Sequence, residues 1–489
     1  MNDHDLMADD DVTPEASILL VSCYELGHQP LGIASVCGFL RRAGYTCETM
    51  DIAVEPFDVH KAARAQIVGI SVPMHTALRL GIAVAQRLRQ INPTCHICFF
   101  GLYAQLNADY LLDHIADSVI GGEFEEPFVA LVDALVRQRK KRGRSRHPWW
   151  QSQRAPDIPG VSFPGRKTGP VLRRLPFAVP HREGLPSLTR YAHVEIGGAR
   201  RLVGYVEASR GCLHHCVHCP IPPVYGGRFF VVPQQVVLED IRQLVEAGAQ
   251  HITFGDPDFL NGPGHALRVV RAMHRAFPEL TFDFTAKVEH LLARRECLFE
   301  LAELGCLFII SAVESLSDVV LANLNKGHTR ADVYAALDLV RRAGVAWRPT
   351  WIPFTPWATL DDYIDILEFV HSEGLVYHVD PVQYTIRLLV PPGSMLLGRA
   401  AIQPFLGPLD ETGFTYQWTH PDPRMDELHR RVSALVERAG RAHEDPAQTF
   451  HEIRRLAYEM RDGEPPELAP PPLLDRAERP PWLTEPWFC

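Results

Sequence analysis

The stretch Arg210-Gly211-Cys212-Leu213-His214-His215-Cys216-Val217-His218-Cys219-Pro220 decides how this chain is interpreted. Its three cysteines are separated by three and then two residues, near the middle of the sequence. Three thiolates can hold three irons of a 4Fe-4S cluster and leave the fourth iron without a protein ligand, whereas four cysteines close a cluster that transfers electrons. The spacing therefore predicts a cluster with one iron open to chemistry.

Two other interpretations use the same residues. Zinc accepts three cysteines and one histidine, and His214, His215 and His218 lie among the cysteines. The thiols could also be plain buried side chains, since cysteine is among the most buried residue types. Structural zinc sites normally come as two separated ligand pairs, so one compact loop favours the cluster.

Composition narrows the class of protein. The 489 residues suffice for two or three domains, and 46% hydrophobic with 22% charged residues is typical of globular proteins. No apolar run approaches the roughly 20 residues that span a bilayer, and a net charge of -10 argues against a nucleic-acid partner. Eleven cysteines without a secretory signal suit a reducing compartment better than a disulfide framework. We expect a cytoplasmic protein with no membrane partner, whose acidic residues 1–16 form a disordered tail.

Ahead of the cysteine loop, residues 17–136 alternate short β-rich runs with helical patterns, as a parallel α/β sheet does. The predicted strands are 18–22, 46–52, 67–72, 96–100 and 118–120, and the predicted helices are 32–42, 76–90 and 110–114. The pattern predicts a doubly wound parallel sheet, which binds ligands outside the carboxyl ends of its strands. The loops expected there are 23–32, 73–76, 101–105 and 121–126.

After a linker at about 137–200, residues 201–391 have the period of a partial parallel barrel of about six β/α units. A hairpin with its turn at Gly197-Gly198 is predicted to lead into the first strand, 205–208. The cysteine loop follows that strand's carboxyl end, where barrel enzymes place their chemistry. Further strands are predicted at 251–255, 282–286, 307–311, 345–352 and 382–389, and two helices at 425–440 and 446–460 precede a proline-rich tail within 392–489.

The cysteine loop resembles the CxxxCxxC signature of the radical SAM superfamily. The resemblance implies that Cys212, Cys216 and Cys219 ligate the 4Fe-4S cluster and that the open iron chelates S-adenosylmethionine, whose C-S bond is broken by one electron. The resemblance implies an enzyme that modifies an unactivated position of a small molecule or peptide. Such an enzyme takes its electron from an external donor such as flavodoxin or ferredoxin. The alternative reactions are rearrangement, cyclisation or formation of another bond without cobalamin. A metal-binding protein without turnover is the alternative from another class.

The same resemblance suggests where S-adenosylmethionine lies. Gly255, Asp256 and Asp258 occupy the loop that in this superfamily faces the amino group of S-adenosylmethionine, although many members carry two glycines and a glutamate there. A plain turn with helix capping would also explain both aspartates. Ser311 and Glu314 are predicted to lie near the ribose or methionine portion, while Glu314 could instead begin the following helix.

The first domain resembles the cobalamin-binding domain found ahead of many radical SAM domains. The matching features are Pro30-Leu31-Gly32 and the run Gly121-Gly122-Glu123-Phe124-Glu125-Glu126. The Asp-x-His-x-x-Gly loop, through which a histidine ligates cobalt, is missing, so we expect His28 to pack rather than to bind cobalt. If cobalamin binds, the resemblance implies methyl transfer as the commonest outcome; the alternative is the same fold without a cofactor.

Two further stretches, a basic run after the first domain and the end of the chain, each allow two interpretations. The basic run 137–146 lacks interleaved aromatic residues, so a solvated helix end is a better interpretation than a nucleic-acid patch. The ending 482–489, together with residues 22–30, looks like the uncharacterised radical SAM group named for a CUAEP or CCAEP tail. Glu485-Pro486 matches, but Trp482 and Leu483 replace the paired cysteine or selenocysteine, and only Cys489 remains. We expect this aromatic end to dock over the barrel mouth, with a disordered end as the alternative.

Overall fold

The structure is a computed structural model that describes residues 17–142, 156–464 and 466–484. The predicted tail 1–16, the basic residues beyond Arg142 and the terminal Cys489 lie outside these ranges.

The first domain is a doubly wound sheet whose five parallel strands run in the order β2-β1-β3-β4-β5. The strands are β1 Ile18–Ser22, β2 Glu48–Asp51, β3 Ile67–Ser71, β4 His96–Phe100 and β5 Ser118–Ile120. The helices are α1 Leu31–Arg42, α2 Val59–Arg64, α3 His75–Ile91, α4 Leu102–Leu106, α5 Ala108–His114 and α6 Glu125–Arg142. Both faces of β1, β3 and β4 are buried, as expected for strands covered by helices on each side. The predicted sheet is confirmed, and α6 contains the start of the basic run as predicted.

The strand order reverses between β1 and β3, which lie side by side. A ligand of such a sheet binds at this reversal, outside the carboxyl ends of the strands. One disulfide joins Cys37 of α1 to Cys47 before β2, and the other described cysteines are free thiols. A disulfide framework is therefore not present in the described part of the chain.

The connector after α6 is packed against both domains. Its short strand β6 (Val161–Ser162) pairs antiparallel with β5, and the His181 backbone N-H donates to the Ala34 carbonyl of α1 at 2.9 Å. Phe177 is buried in the core of the second domain. The connector therefore helps to fix one domain against the other.

The second domain contains five parallel strands that form a curved partial barrel. The predicted hairpin is present as β7 His193–Ile196 and β8 Ala199–Val206, and both glycines of its turn have positive φ. The sheet order is β14-β13-β12-β11-β8-β7-β17, in which β8 to β14 are parallel. Its remaining strands are β11 His251–Phe254, β12 Thr281–Thr285, β13 Cys306–Glu314, β14 Ala346–Trp351 and β17 Trp482–Leu483; β9 Ser209–Gly211 and β10 Phe229–Val231 form a separate antiparallel pair.

Helices cover the outer face of this sheet. They are α8 Gln234–Glu246, α9 Pro263–Ala276, α10 Val288–Ala293, α11 Arg295–Glu303, α12 Asp318–Asn323, α13 Arg330–Arg342 and α14 Leu360–Ser372. The short helix α7 Ile221–Tyr225, which follows the cysteine loop, packs instead against α4 and β9. Thr329 and Thr359 begin α13 and α14 with complete capping boxes, which satisfy backbone N-H groups at each start. The large core of the domain lies between these helices and the sheet.

The predicted sixth strand at 382–389 is wrong. Pro381–Thr385 forms a 3-10 turn, and only an isolated bridge between Phe354 and Arg387 continues the sheet. Pro381 has no N-H to donate to a strand ladder, and the turn shortens what remains of the segment.

The C-terminal part adds a hairpin, β15 Leu406–Asp410 with β16 Thr415–Trp418, and two helices, α15 Pro423–Ala442 and α16 Pro446–Asp462. The tail then returns as β17, which pairs antiparallel with β7, and its Leu483 packs against Val203 and Phe308. These residues lie toward the amino ends of the barrel strands. The tail does dock, but its described part lies at the end opposite to the predicted barrel mouth, because the free edge of β7 supplies unpaired backbone groups there.

No described helix combines the length and the apolar character that crossing a membrane requires.

Candidate active site

The cysteine loop leaves the barrel sheet at the carboxyl end of β8. Gly211 has φ +76°, and a Cβ there would lie 2.4 Å from the Arg228 carbonyl oxygen and 2.7 Å from the Tyr225 ring. Glycine is therefore required both by the backbone conformation and by the space. Two hydrogen bonds hold the middle of the loop to the segment after α12. The Val217 N-H donates to the Leu324 carbonyl at 3.0 Å, and the Asn325 side-chain amide donates to the His215 carbonyl at 2.9 Å.

The three cysteines form one group of inward-facing thiols. Cys212 and Cys216 are buried, and Cys219 is partly buried. Burial, followed by the charges of Cys216 and Cys212, raises the pKa of Cys219 to about 12, and burial also raises the pKa of Cys212. Burial therefore opposes ionisation of the Cys212 and Cys219 thiols unless a cation compensates the charge. Three thiols in one loop are the donor set for three irons of a 4Fe-4S cluster.

The loop histidines contact other groups. His218 Nε2 lies 3.4 Å from Glu314 Oε1, and His214 lies 3.0 Å from Lys287 Nζ and 3.1 Å from His290 Nε2. These contacts do not favour the zinc interpretation, in which one loop histidine completes a set with the three thiolates.

Glu314 ends β13 and faces the cysteine loop in a buried ion pair. Its Oε1 lies 3.2 Å from Lys326 Nζ, and its φ of 70° turns the backbone out of the strand. Burial opposes ionisation, but the charges of Lys326 and His218 outweigh it and lower the pKa of Glu314 to about 2. The following helix begins only at Asp318, so Glu314 is not a helix-start residue.

The two predicted aspartates both accept hydrogen bonds from the protein. Asp256 accepts from the Ala208 N-H at 2.9 Å and from the Ser209 hydroxyl at 2.5 Å, and burial raises its pKa to about 7. Asp258 caps the turn at 259–261 through the Leu260 N-H at 3.0 Å. Hydrogen bonds within the protein therefore account for oxygens of both carboxylates, although only Asp258 caps a turn. The contact of either carboxylate with S-adenosylmethionine stays a prediction.

Gly255 and Ser311 lie on different sides of the barrel sheet. A Cβ on Gly255 would lie 2.1 Å from the Tyr205 ring, so glycine makes room for that ring at the end of β11. Ser311 lies two residues from both Ile309 and Val313, which pack in the core on the helix side, and residues two apart on a strand share a face. Its buried hydroxyl has no hydrogen-bond partner. Strand alternation places Ser311 on that helix side, and its predicted contact with S-adenosylmethionine stays a prediction.

In the first domain, the loops after β1, β4 and β5 are placed to hold cobalamin. Glu125 Oε2, at the start of α6 after β5, is buried without a hydrogen-bond partner. Cobalamin carries peripheral amides that donate hydrogen bonds, so such an acceptor fits the group. The His28 ring is buried and stacks on Tyr205 with 4.6 Å between ring centroids, in agreement with the expectation that His28 packs.

A buried ion-pair cluster joins this crevice to the cysteine loop. Arg210 Nη1 lies 2.5 Å from Glu125 Oε1 and 3.5 Å from Glu123 Oε2, and its Nε lies 2.8 Å from Glu207 Oε2. Tyr225 donates its hydroxyl to Glu123 at 3.0 Å. Burial raises the pKa of Glu123 to about 7 although Arg210 opposes the rise. We call Arg210, Glu123, Glu125, Glu207 and Tyr225 the interdomain cluster.

The contacts of this cluster are not predictable from the sequence. Arg210 and the run 121–126 belong to separate motifs, and nothing in the sequence pairs them. A second contact of the same kind is also absent from the sequence prediction: Arg182 of the connector binds Asp240 of α8 at 2.6 Å and donates to Gln29 at 2.9 Å.

Comparisons with known proteins agree with this arrangement. Residues 18–132 match the model of the B12 binding domain, and residues 206–371 match that of the Radical SAM superfamily. The hopanoid C-3 methylase of Methylococcus capsulatus is 26% identical over 65% of this chain, and the match covers 59% of that protein's length. An uncharacterised methyltransferase of Pyrococcus horikoshii is 23% identical, and the match covers 84% of this chain and 86% of that protein.

Two solved structures share the fold. The cobalamin-dependent S-adenosylmethionine radical enzyme OxsB with aqua-cobalamin bound gives a TM-score of 0.66 at 14% identity, over 91% of this chain and 73% of that one. The radical S-adenosylmethionine methyltransferase TsrM from Kitasatospora setae gives 0.65 at 17% identity, over 89% and 90% of the two chains. The buried thiols, the switch-point loops and the two family matches lead to one conclusion: the chain contains a radical SAM domain and carries a B12-binding domain ahead of it.

Proposed function

We propose that this protein is a cobalamin-dependent radical SAM methyltransferase that acts on a small molecule or a peptide. The observation that carries the proposal is that the carboxyl edge of the B12-binding sheet meets the cysteine loop. Arg210, two residues before Cys212, is buried against Glu125, and α4 packs against α7 directly after Cys219. The charge of Cys219 adds to burial in raising the pKa of the Tyr103 phenol on α4. The two cofactor sites therefore face one another across a buried interface.

The side chains have separable tasks in this arrangement. Cys212, Cys216 and Cys219 would hold the cluster, and the loops after β1, β4 and β5 would hold cobalamin. When bound, the cluster supplies one-electron cleavage of S-adenosylmethionine, and cobalamin supplies methyl-group carriage. The interdomain cluster fixes the distance between the two sites, and the Glu314–Lys326 pair holds the far side of the loop.

The names of two relatives support methyl transfer over the other outcomes of radical chemistry, since both are methylating enzymes by name. The chain spans less than two thirds of the hopanoid methylase, so that protein's substrate is not carried over. Turnover would also need an electron from an external donor such as flavodoxin or ferredoxin.

The test uses the full chain, reconstituted anaerobically with iron, sulfide and hydroxocobalamin. The protein is incubated with a reductant and with S-adenosylmethionine whose methyl group is deuterated. Metabolites or peptides extracted from the cell that makes the protein are added as substrates. We expect about four irons and one cobalamin per chain, formation of deoxyadenosine and S-adenosylhomocysteine, and a product that is heavier by the labelled methyl group.

Three results would count against the proposal. About two irons or fewer, or zinc in their place, would exclude the radical mechanism. Absence of cobalamin binding in equilibrium dialysis would exclude the methyl carrier. Deoxyadenosine with a modified product that lacks the label would leave a radical enzyme that performs cyclisation or rearrangement instead.

A further inference from the structure

Three metal-ligand side chains from separate parts of the chain meet beside the cysteine loop. His214 belongs to the loop itself, Asp258 follows β11, and His290 lies on α10 after β12. One ligand atom from each lies within 4.8 Å of the other two. Asp258 is fully buried, and the two histidine side chains are only 16% and 13% exposed. None of the three cysteines belongs to this group.

The contact between His290 and Asp258 is close but is not a hydrogen bond. His290 Nδ1 lies 2.8 Å from Asp258 Oδ2, yet this nitrogen is buried without a hydrogen-bond partner. The two atoms are therefore close together, but the direction of the contact does not suit a hydrogen bond. Two ligands on one metal ion show this combination, because their lone pairs point at the ion between them and not at each other.

The other separations also suit a shared ion. His214 Nε2 lies 3.9 Å from Asp258 Oδ2, and one ligand atom from each of the three residues lies within 4.8 Å of the other two. The 3.1 Å contact of His214 Nε2 is with Nε2 of His290, the ring nitrogen that does not face Asp258, so this contact is not one between two ligands of the ion. Ligand bonds of about 2.0–2.2 Å place neighbouring donor atoms roughly 3–4 Å apart in such sites. Two imidazoles and one carboxylate with open positions are the donor set of zinc and ferrous iron.

The charges around the group allow a dication. Lys287 Nζ lies 3.1 Å from Glu289 Oε2, which balances it and leaves Asp258 as the net negative charge. A histidine that binds a metal through Nε2 carries a hydrogen on Nδ1 and usually donates it to a carboxylate. Glu289 Oε2, 3.7 Å from His214 Nδ1, is the acceptor within reach, once Lys287, now 3.0 Å from that nitrogen, moves aside.

We propose that His214, Asp258 and His290 form a second metal site, separate from the cysteine cluster, for a divalent first-row ion of the zinc or ferrous-iron type. The ion would tie the cysteine loop to the loops after β11 and β12. The competing arrangement is a metal-free hydrogen-bond chain from Lys287 through His214 to His290.

The test compares zinc binding by holoproteins that all carry the cluster. Wild type, H290A and D258N are reconstituted anaerobically, freed of loose metal with a chelator and dialysed against zinc chloride. Bound zinc and iron are then counted by mass spectrometry. We expect about one zinc per wild-type chain and at least tenfold weaker binding in both variants, with about four irons in all three. His274, partly buried on α9 and outside this group, gives the control H274A, which should bind zinc like wild type.

X-ray absorption at the zinc edge should show imidazole nitrogens and a carboxylate oxygen at about 2.0–2.2 Å, without sulfur. If H290A loses its iron or fails to fold, H290N and the outer-carboxylate variant E289Q provide the comparison, and E289Q should weaken zinc binding about tenfold. Wild type that retains no more zinc than H290A and H290N, or zinc ligated by sulfur, would overturn the proposal in favour of the hydrogen-bond chain.

Discussion

At the scale of single residues, buried charges around the cysteine loop are paired across chain segments. Glu314 with Lys326, and Arg210 with Glu123 and Glu125, are ion pairs of nearly or fully buried side chains, and the partly buried Glu207 also pairs with Arg210. Removing one partner of such a pair leaves an uncompensated charge and typically costs about 3–5 kcal/mol. The loop is consequently held in place from both sides before any iron binds.

The first prediction concerns the ligands. Cys216→Ala should lower iron to well below four per chain and abolish deoxyadenosine formation, because the cluster needs three thiolates. Iron analysis and product chromatography measure both effects. Cys297→Ala, on α11, is the matched control and should keep both. Deoxyadenosine formation that persists in Cys216→Ala would refute the ligand assignment.

His28→Ala should leave the affinity for hydroxocobalamin and its visible spectrum nearly unchanged. The ring is engaged in a stack with Tyr205, whose loss should lower the free energy of unfolding by about 1 kcal/mol. Equilibrium dialysis, absorption spectra and denaturant unfolding provide the readouts. A shifted cobalt spectrum in the variant would instead make His28 a ligand.

At the scale of elements, tight turns and one added strand complete the barrel. Gly211 lies where any side chain would strike backbone. β17 covers the free edge of β7, and just after it the Thr484 N-H donates to the His193 carbonyl while the His193 N-H donates to Thr484 Oγ1. Both features depend on contacts between distant segments.

Gly211→Ala should disrupt the loop and lower bound iron at least severalfold, since the new Cβ meets the Arg228 carbonyl at 2.4 Å. Gly226→Ala is a close control, because Gly226 also has positive φ but a Cβ added there would meet open space, with nothing within 4 Å. Its strain should cost only about 1 kcal/mol and leave iron content near that of wild type. Equal iron content in the two variants would show that the loop tolerates the clash.

Leu483→Ala should lower the free energy of unfolding by about 2–4 kcal/mol, because a 5% exposed side chain leaves an apolar cluster. Leu473→Ala, at a position that is 63% exposed, should change it by less than about 0.5 kcal/mol. Chemical denaturation followed by fluorescence distinguishes them. If the two variants are equally stable, the tail does not dock at β7 in solution.

At the scale of the whole molecule, a polar and buried interface holds the two domains against each other. The connector adds a second set of buried contacts, in which Arg182 pairs with Asp240 and donates to Gln29. Such an interface sets orientation through charge pairing, at the cost of desolvating each group.

Arg210→Met should destabilise the protein by about 3 kcal/mol or more and lower cobalamin retention, because Glu125 and Glu207 lose their cation. Arg228→Met, at an exposed arginine nearby that lies outside the interdomain cluster, is the control and should retain cobalamin. Thermal unfolding and dialysis measure the two effects. A stable Arg210→Met protein with normal cobalamin content would mean that the interface does not hold the crevice.

The sequence by itself determined the local features of this protein. Strand periodicity was sufficient for β1, β4 and β5 to the residue, and the cysteine spacing was sufficient for the family, because both are encoded within short segments. Tertiary structure decided what depends on distant pairs: the interdomain cluster, the group His214, Asp258 and His290, the helix-side position of Ser311, and the docking of β17 at the amino ends of the strands. The failed sixth strand at 382–389 has the same cause, since an apolar run cannot show whether a neighbouring strand accepts its hydrogen bonds.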